Sequence, residues 1–302
     1  MRNQVARFRS DPASADCGNL GRVVRDASAG EAATALAARL FEQSCKHGHG
    51  FACADLAGLE LAASHAPRAT ELLDQACAAE RSGTGAEGEL CALAGALAAC
   101  PRKDAAACGA LGSAFQRQGQ LGGNVELERR YHDRGCQLGS GQSCLALGSS
   151  YFDVESEQKR VSKLMDRACE LGVAEGCTQI GYRYIAATGV AQDVPRGLRA
   201  LERGCMLGSA GACRRSGAYY AYGEARDAAR SLALARQGCE LDDGWSCDHV
   251  GFAYEYGEEA PLDKAKAREF YARACDLGER IACSKAKPRR GLISQWIESR
   301  WK

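Results

Sequence analysis

The spacing of the cysteines constrains this chain more than any other feature. Seven pairs stand eight residues apart: Cys45/Cys53, Cys100/Cys108, Cys136/Cys144, Cys169/Cys177, Cys205/Cys213, Cys239/Cys247 and Cys275/Cys283. From Cys100 onward the pairs recur every 33 to 36 residues. A fixed period of this size marks a repeat architecture, in which one short supersecondary unit is copied and stacked. A further pair, Cys77/Cys91, is stretched to a separation of 14 by the loop SGTGAEG.

The text around each pair defines the unit. A helical run precedes the first cysteine, as in RVSKLMDRAC ending at Cys169 and LDKAKAREFYARAC ending at Cys275. A Leu-Gly turn follows it, as CQLG, CELG, CMLG or CDLG, and the Gly suits the left-handed residue just past a helix end. A second helix then opens at the second cysteine: CLALGSSY, CTQIGYRY, CRRSGAYY, CDHVGFAY. The cysteine ending one helix faces the cysteine opening the next, so a disulfide can staple the turn. Offsets 0, +3, +4 and +7 from the second cysteine share one helix face. They hold Cys177, Ile180, Gly181 and Tyr184 in one unit, and Cys247, Val250, Gly251 and Tyr254 in another. The Gly admits a neighbouring helix, and the +7 aromatics (Phe115, Tyr151, Tyr184, Tyr220, Tyr254) read as core. Such a unit cannot bury its apolar face alone, so neighbours must stack.

Composition narrows the setting. A chain of 302 residues with 17 cysteines and no CxxC points to a disulfide framework in an oxidising compartment, rather than to zinc or a redox motif. Lys+Arg is 39 and Asp+Glu is 38, a balance that speaks against a dedicated nucleic-acid binder. No apolar run approaches the roughly 18 residues that suggest a membrane span. Met1 to Asp16 lacks the apolar stretch of a signal peptide. An export signal would then have been removed, or would lie upstream of this start.

The pattern ACELGxxxGCxxLGxxY, with its paired cysteines, resembles Sel1-like repeats, and more narrowly the Helicobacter cysteine-rich protein branch, over about residues 17–287. The resemblance implies an all-α solenoid of αα-hairpins, a superhelix related to tetratricopeptide arrays, with a disulfide inside each repeat. The expected disulfides are Cys45–Cys53, Cys77–Cys91, Cys100–Cys108, Cys136–Cys144, Cys169–Cys177, Cys205–Cys213, Cys239–Cys247 and Cys275–Cys283. It further implies a periplasmic or secreted monomer that binds a protein or peptide through a concave face. Some members of the family are labelled penicillin-binding or β-lactamase-like.

Three departures qualify this reading. Cys17 matches a second cysteine whose partner position is Arg9, so it is expected to stand outside the disulfide set, with residues 1–16 a tail or the remnant of a truncated repeat. Cys91 and Cys100 are only nine residues apart, where 24 to 28 separate successive pairs elsewhere. One helix has no room there, and the pairing among Cys77, Cys91, Cys100 and Cys108 stays open. The last unit ends at Pro288, after which Leu292, Ile293, Trp296, Ile297 and Trp301 form one helical stripe; 288–302 is expected to be a capping amphipathic helix.

Catalytic motifs are sparse. Ser284 to Lys287 spells SxxK without the SDN or KTG of penicillin-binding enzymes, and reads as chance. Cys45, His47, His49 and Cys53 form a dense cluster, but the repeat already accounts for both cysteines, so no metal and no cofactor is expected. His65, His132 and His249 are scattered and read as surface groups. No catalytic residue is assigned. The remaining signal lies at offsets +2, +5 and +9 of the second helices, opposite the core stripe. Early repeats place small residues there, among them Ala110, Ser113, Ala146 and Ser149. Later ones place Gln179, Tyr182, Arg215, Tyr222, His249, Phe252 and Tyr256, which are the candidate binding residues. Aromatics and Arg are enriched at binding hot spots, although curvature of the array could instead bury this face. The favoured function is an extracytoplasmic interaction scaffold. The alternatives are β-lactam or peptidoglycan-fragment binding or a β-lactamase-like hydrolase activity, and a thiol-redox or metal-binding role.

Overall fold

The computed structural model describes residues 16–27, 30–84, 88–116, 119–224, 226–258 and 260–286. Among these residues there are sixteen α-helices, two 3-10 turns and no strand. The helices are α1 (Asp16–Ala27), α2 (Glu31–Lys46), α3 (Gly50–Ala62), α4 (Ala66–Thr84), α5 (Glu89–Ala99), α6 (Ala105–Ala114), α7 (Val125–Gln137), α8 (Gly141–Ser149), α9 (Gln158–Glu170), α10 (Ala174–Ala186), α11 (Val194–Met206), α12 (Ala210–Tyr222), α13 (Ala228–Glu240), α14 (Gly244–Tyr256), α15 (Lys264–Asp276) and α16 (Arg280–Ala286). The N-terminal tail, the SGTGAEG loop tip, Lys287 and the 288–302 stripe lie outside the described residues.

Outside α4–α6, each stapled hairpin turns through three residues. In α7–α8 the N–H of Gly139 donates to the Cys136 carbonyl and that of Ser140 to the Gly135 carbonyl, which ends the first helix in a Schellman arrangement. Gly139 has φ 98°, a conformation that costs a side chain heavily. The hydroxyl of Ser140 then accepts from the Ser143 N–H and caps the second helix. Ser209 and Asp243 cap α12 and α14 in the same way. The sulphurs meet across this turn: Cys136–Cys144 has Cα atoms 4.6 Å apart, and Cys169–Cys177 has them 4.4 Å apart. Eight disulfides are present, including Cys77–Cys91 and Cys100–Cys108. Cys17 is a buried thiol on α1.

The backbones approach closely beside each staple, and paired small residues permit it. A Cβ on Gly135 would lie 2.4 Å from the Ser143 hydroxyl, and one on Gly238 would lie 2.4 Å from that of Ser246. In α9–α10 the roles exchange: Ala168 faces Gly176, where a Cβ would lie 2.6 Å from the alanine methyl.

The short interval from Cys91 to Cys100 is resolved by one helix serving two hairpins. Cys91 stands in the first turn of α5 and bonds back to α4, while Cys100 follows its last turn and bonds forward to α6. The carboxylate of Glu80 on α4 accepts from the backbone N–H groups of Gly88, Leu90 and Cys91, fixing the start of α5. Helix α5 buries Leu93 and Ala96, seven and four residues before Cys100, just as α11 buries Leu198 and Leu201 before Cys205. It therefore packs as a first helix. Among the described residues, no atom outside its own helix backbone lies within 4 Å of a Cβ position on its +4 glycine, Gly95. The equivalent Gly181 would place a Cβ 2.8 Å from both the Gly197 carbonyl oxygen and Leu201.

The chain forms two compact units, Met1–Asp153 and Val154–Lys302. The first has a broad core that joins Phe41, Leu56, Leu72, Leu97, Leu111 and Phe115. An ion-pair group lies beside it: Asp55 is buried on α3 and accepts from Arg22 at 2.6 Å and Arg25 at 2.7 Å, both on α1. The second unit has a segmented core, as stacked repeats require. One cluster holds Leu201, Cys205, Ala212 and Cys213, and another holds Leu232, Ala235, Val250, Ala253 and Ala260.

The +7 aromatics divide. Phe115, Tyr184 and Tyr220 are buried, whereas Tyr151 and Tyr254 are only half-buried. Tyr184 donates to Asp166 and Tyr220 donates to Glu202, in each case 18 residues back on the preceding first helix. Arg196 lies over the Tyr184 ring and Arg230 over the Tyr220 ring. Burial, helped by the neighbouring acid, pushes both phenols up.

Two histidines correct the surface expectation. His132 and His249 are both buried, while His65 is exposed. His132 fits beneath Gly112, whose missing side chain leaves room for the ring, and among the described residues neither of its nitrogens has a hydrogen-bond partner. Burial holds its pKa below the usual histidine value.

Candidate functional site

The exposed aromatic groups of the second unit sit on its second helices. Tyr182 is on α10, Tyr222 on α12, and Phe252 and Tyr256 on α14. These helices pack side by side, α10 on α12 and α12 on α14. Because +5 and +9 lie on the opposite side of the helix from the core stripe, the rings point away from the packed interior. Tyr222 is 68% exposed, Tyr256 57% and Tyr182 51%. Phe252 lies against Tyr256 one turn later, with centroids 4.5 Å apart. The Arg215 guanidinium lies over the Tyr182 ring at 5.4 Å, bridging α12 to α10. Gln179 is half-buried, and its amide donates to Glu175 on its own helix.

His249, a candidate for direct contact, is instead the underside of this surface. It is 6% exposed. Its ring stacks on Trp245 one turn earlier, at 5.2 Å, and meets the edge of Tyr222 at 6.3 Å. The Ser231 hydroxyl lies 2.9 Å from its Nε2 and also donates to the Gly217 carbonyl. A hydroxyl has one proton, so Nε2 must carry the hydrogen of the His249–Ser231 bond. Burial lowers the His249 pKa, with Asp248 opposing the shift. The imidazole is thus a neutral pillar that fixes Tyr222 against α14. Trp245 stands at offset −2 from Cys247, outside the +2, +5 and +9 positions that the repeat pattern singles out. Its i, i+4 relation to His249 was the available signal.

The other candidate groups do not assemble a reactive centre. The sulphurs of Cys45 and Cys53 are joined to each other, so His47 and His49 have no thiolate beside them. Among the described residues no group of three or more His, Cys, Asp or Glu side chains is placed to hold a metal. Ser284 is exposed, and its hydroxyl donates to the Ile281 carbonyl. No described helix is long and apolar enough to cross a membrane.

Comparison with solved structures places this geometry. A Sel1 repeat protein from Oxalobacter formigenes superposes with a TM-score of 0.55 at 18% identity, covering 99% of this chain and 89% of that one. The c5321 protein, a protective antigen of uropathogenic Escherichia coli strains with an SLR fold, gives 0.58 at 17% identity, covering 94% of this chain and 66% of its own. Helicobacter pylori cysteine-rich protein B matches 40% of this chain and 90% of its own at 26% identity, with a TM-score of 0.34. No protein-family model matches the sequence, and no curated protein matches it. The agreement over nearly the whole chain, together with the helix order and the stapled hairpins, gives this protein the Sel1-like repeat fold.

Proposed function

We propose that the protein is an extracytoplasmic interaction scaffold that binds a protein or peptide through the aromatic face of α10, α12 and α14. The observation that carries this reading is the exposure of Tyr182, Tyr222, Phe252 and Tyr256 on adjacent helices whose cores are already complete. Each ring leaves a large apolar area in water, and burying apolar surface is worth about 25 cal/mol per Å². Rigid helices hold the rings, so little conformational entropy is lost on binding. Tyr and Arg are the residue types that dominate measured hot spots. Eight disulfides support a location outside the reducing cytosol.

Site-specific photo-crosslinking in the native host tests the proposal. A photoreactive phenylalanine at Tyr222 or Tyr256 should give a discrete adduct that is absent when the same group replaces Met206, an exposed residue at the end of α11. Equal labelling from all three positions, or none from any, would exclude this face as the binding surface.

A further inference from the structure

The first unit carries a recessed surface, separate from the aromatic face. Because α5 serves two hairpins, no separate first helix stands between α4 and α7, and both border one cleft of about 630 Å³. Pockets that take ligands span roughly 300–1,000 Å³. Leu97 of α5 and Leu111 of α6 contribute to its floor, and both are buried core residues. Pro67 at the start of α4 forms one edge. On the α7 side stand Arg130, Tyr131 and Arg134. Tyr131 is held flat against Phe115, with rings 5.7 Å apart and planes 1° from parallel.

The charges are unevenly satisfied. Asp133 also borders the cleft and keeps its charge while accepting from the Gln137 amide at 2.6 Å, so with two arginines the rim is net positive. Arg130 and Arg134 are exposed, and among the described residues neither forms an ion pair. Four residues apart on one helix, they stand one turn from each other, about 6 Å along the axis. An apolar floor beside two unpaired guanidinium groups at helical spacing is complementary to one kind of surface. That surface has two carboxylates at i and i+4, with apolar side chains on the adjacent face.

We infer that this cleft docks an acidic amphipathic helix of a partner protein. Its carboxylates pair with Arg130 and Arg134 while apolar residues at i+1 and i+5 enter over Leu97 and Leu111. A helix with glutamates at i and i+4 carries the residues at i+1 and i+5 about 100° round the axis, from the arginine wall to the floor.

The test uses the full oxidised chain and a fluorescein-labelled helical peptide with Glu at i and i+4 and Leu at i+1 and i+5, read by anisotropy. Saturable binding is expected. It should weaken at least tenfold for Arg130→Glu/Arg134→Glu, and by a smaller factor for Arg130→Gln/Arg134→Gln. Replacing both peptide glutamates by glutamine should weaken binding to a similar degree. Tyr222→Ala/Tyr256→Ala should leave the affinity unchanged, which separates this site from the aromatic face. Both arginines are exposed, so the unfolding midpoints of these variants should match the parent. The inference is overturned by absence of saturable binding, by affinity indifferent to the arginine substitutions, or by equal binding of a scrambled peptide of the same composition.

Discussion

Two glycines at the same repeat position are predicted to respond to alanine with opposite signs. Gly95 and Gly181 each stand four residues after a second cysteine. In a helix interior Ala is favoured over Gly by about 1 kcal/mol. At Gly95 the new methyl meets no atom of the described residues within 4 Å outside its own helix backbone, so Gly95→Ala should stabilise the first unit by about 1 kcal/mol. At Gly181 the methyl would lie 2.8 Å from the Gly197 carbonyl oxygen and 2.8 Å from Leu201, well inside van der Waals contact. Helices α10 and α11 must then separate, at an overpacking cost of about 1–3 kcal/mol. One clashing atom is backbone and cannot rotate away, which puts the cost near the upper end. After the helix-propensity gain, Gly181→Ala should destabilise by about 1–2 kcal/mol. Urea unfolding with the disulfides intact, combined with amide hydrogen exchange at α5 and α10, measures each effect in its own unit. Equal signs at the two positions would refute the claim that α5 packs as a first helix with its second-helix face open.

Other perturbations follow from the same structure. His132 and His249 are buried and their pKa values are lowered, so the unfolded chain takes up protons that the native state refuses. Their stabilising contribution is complete above the unfolded value of about 6.5 and declines as pH falls below it, by at most about 1.4 kcal/mol per pH unit for each histidine. His132→Phe should flatten that slope in thermal melts taken from pH 8 to pH 5. Removing one staple with Cys169→Ser/Cys177→Ser should cost about 2–3 kcal/mol by loop entropy, visible as a lower urea midpoint. Asp55→Asn leaves Arg22 and Arg25 facing a neutral group. Both arginines retain partial access to water, so a loss of about 1–3 kcal/mol is expected in the same assay. Tyr222→Ala/Tyr256→Ala should change stability by no more than about 0.5 kcal/mol per site, because both rings are largely exposed.

The hairpin unit was legible because its chemistry is local. The Cx7C spacing, the Leu-Gly turn and the 0, +3, +4, +7 stripe each report on residues that touch within one unit, and Cys177, Ile180 and Gly181 are buried together in α10. The short interval after Cys91 was legible as a missing helix, but not as a shared one. Leu93 and Ala96 acquire their first-helix role only through packing, and nothing in the text ALAGALAAC reports it. The burial of His249 is hidden in the sequence for a related reason. Its offset of +2 points away from its own core stripe, but Trp245, Tyr222 and Ser231 close over it from its own and neighbouring helices. A helical wheel drawn for one repeat contains none of the neighbouring groups. The cleft beside Arg130 and Arg134 likewise arises from the packing of four helices, and the residues around it carry no motif.

The aromatic face depends on the stapled hairpins of the second unit, and the cleft depends on α5 bearing one disulfide at each end. Proteolytic mapping of the oxidised chain by mass spectrometry tests that arrangement directly. The account predicts a gain of sixteen hydrogens on full reduction, two for each of eight disulfides, with Cys91 linked to Cys77 and Cys100 linked to Cys108. A smaller gain, or a peptide linking Cys91 to Cys100 or Cys77 to Cys108, would contradict it.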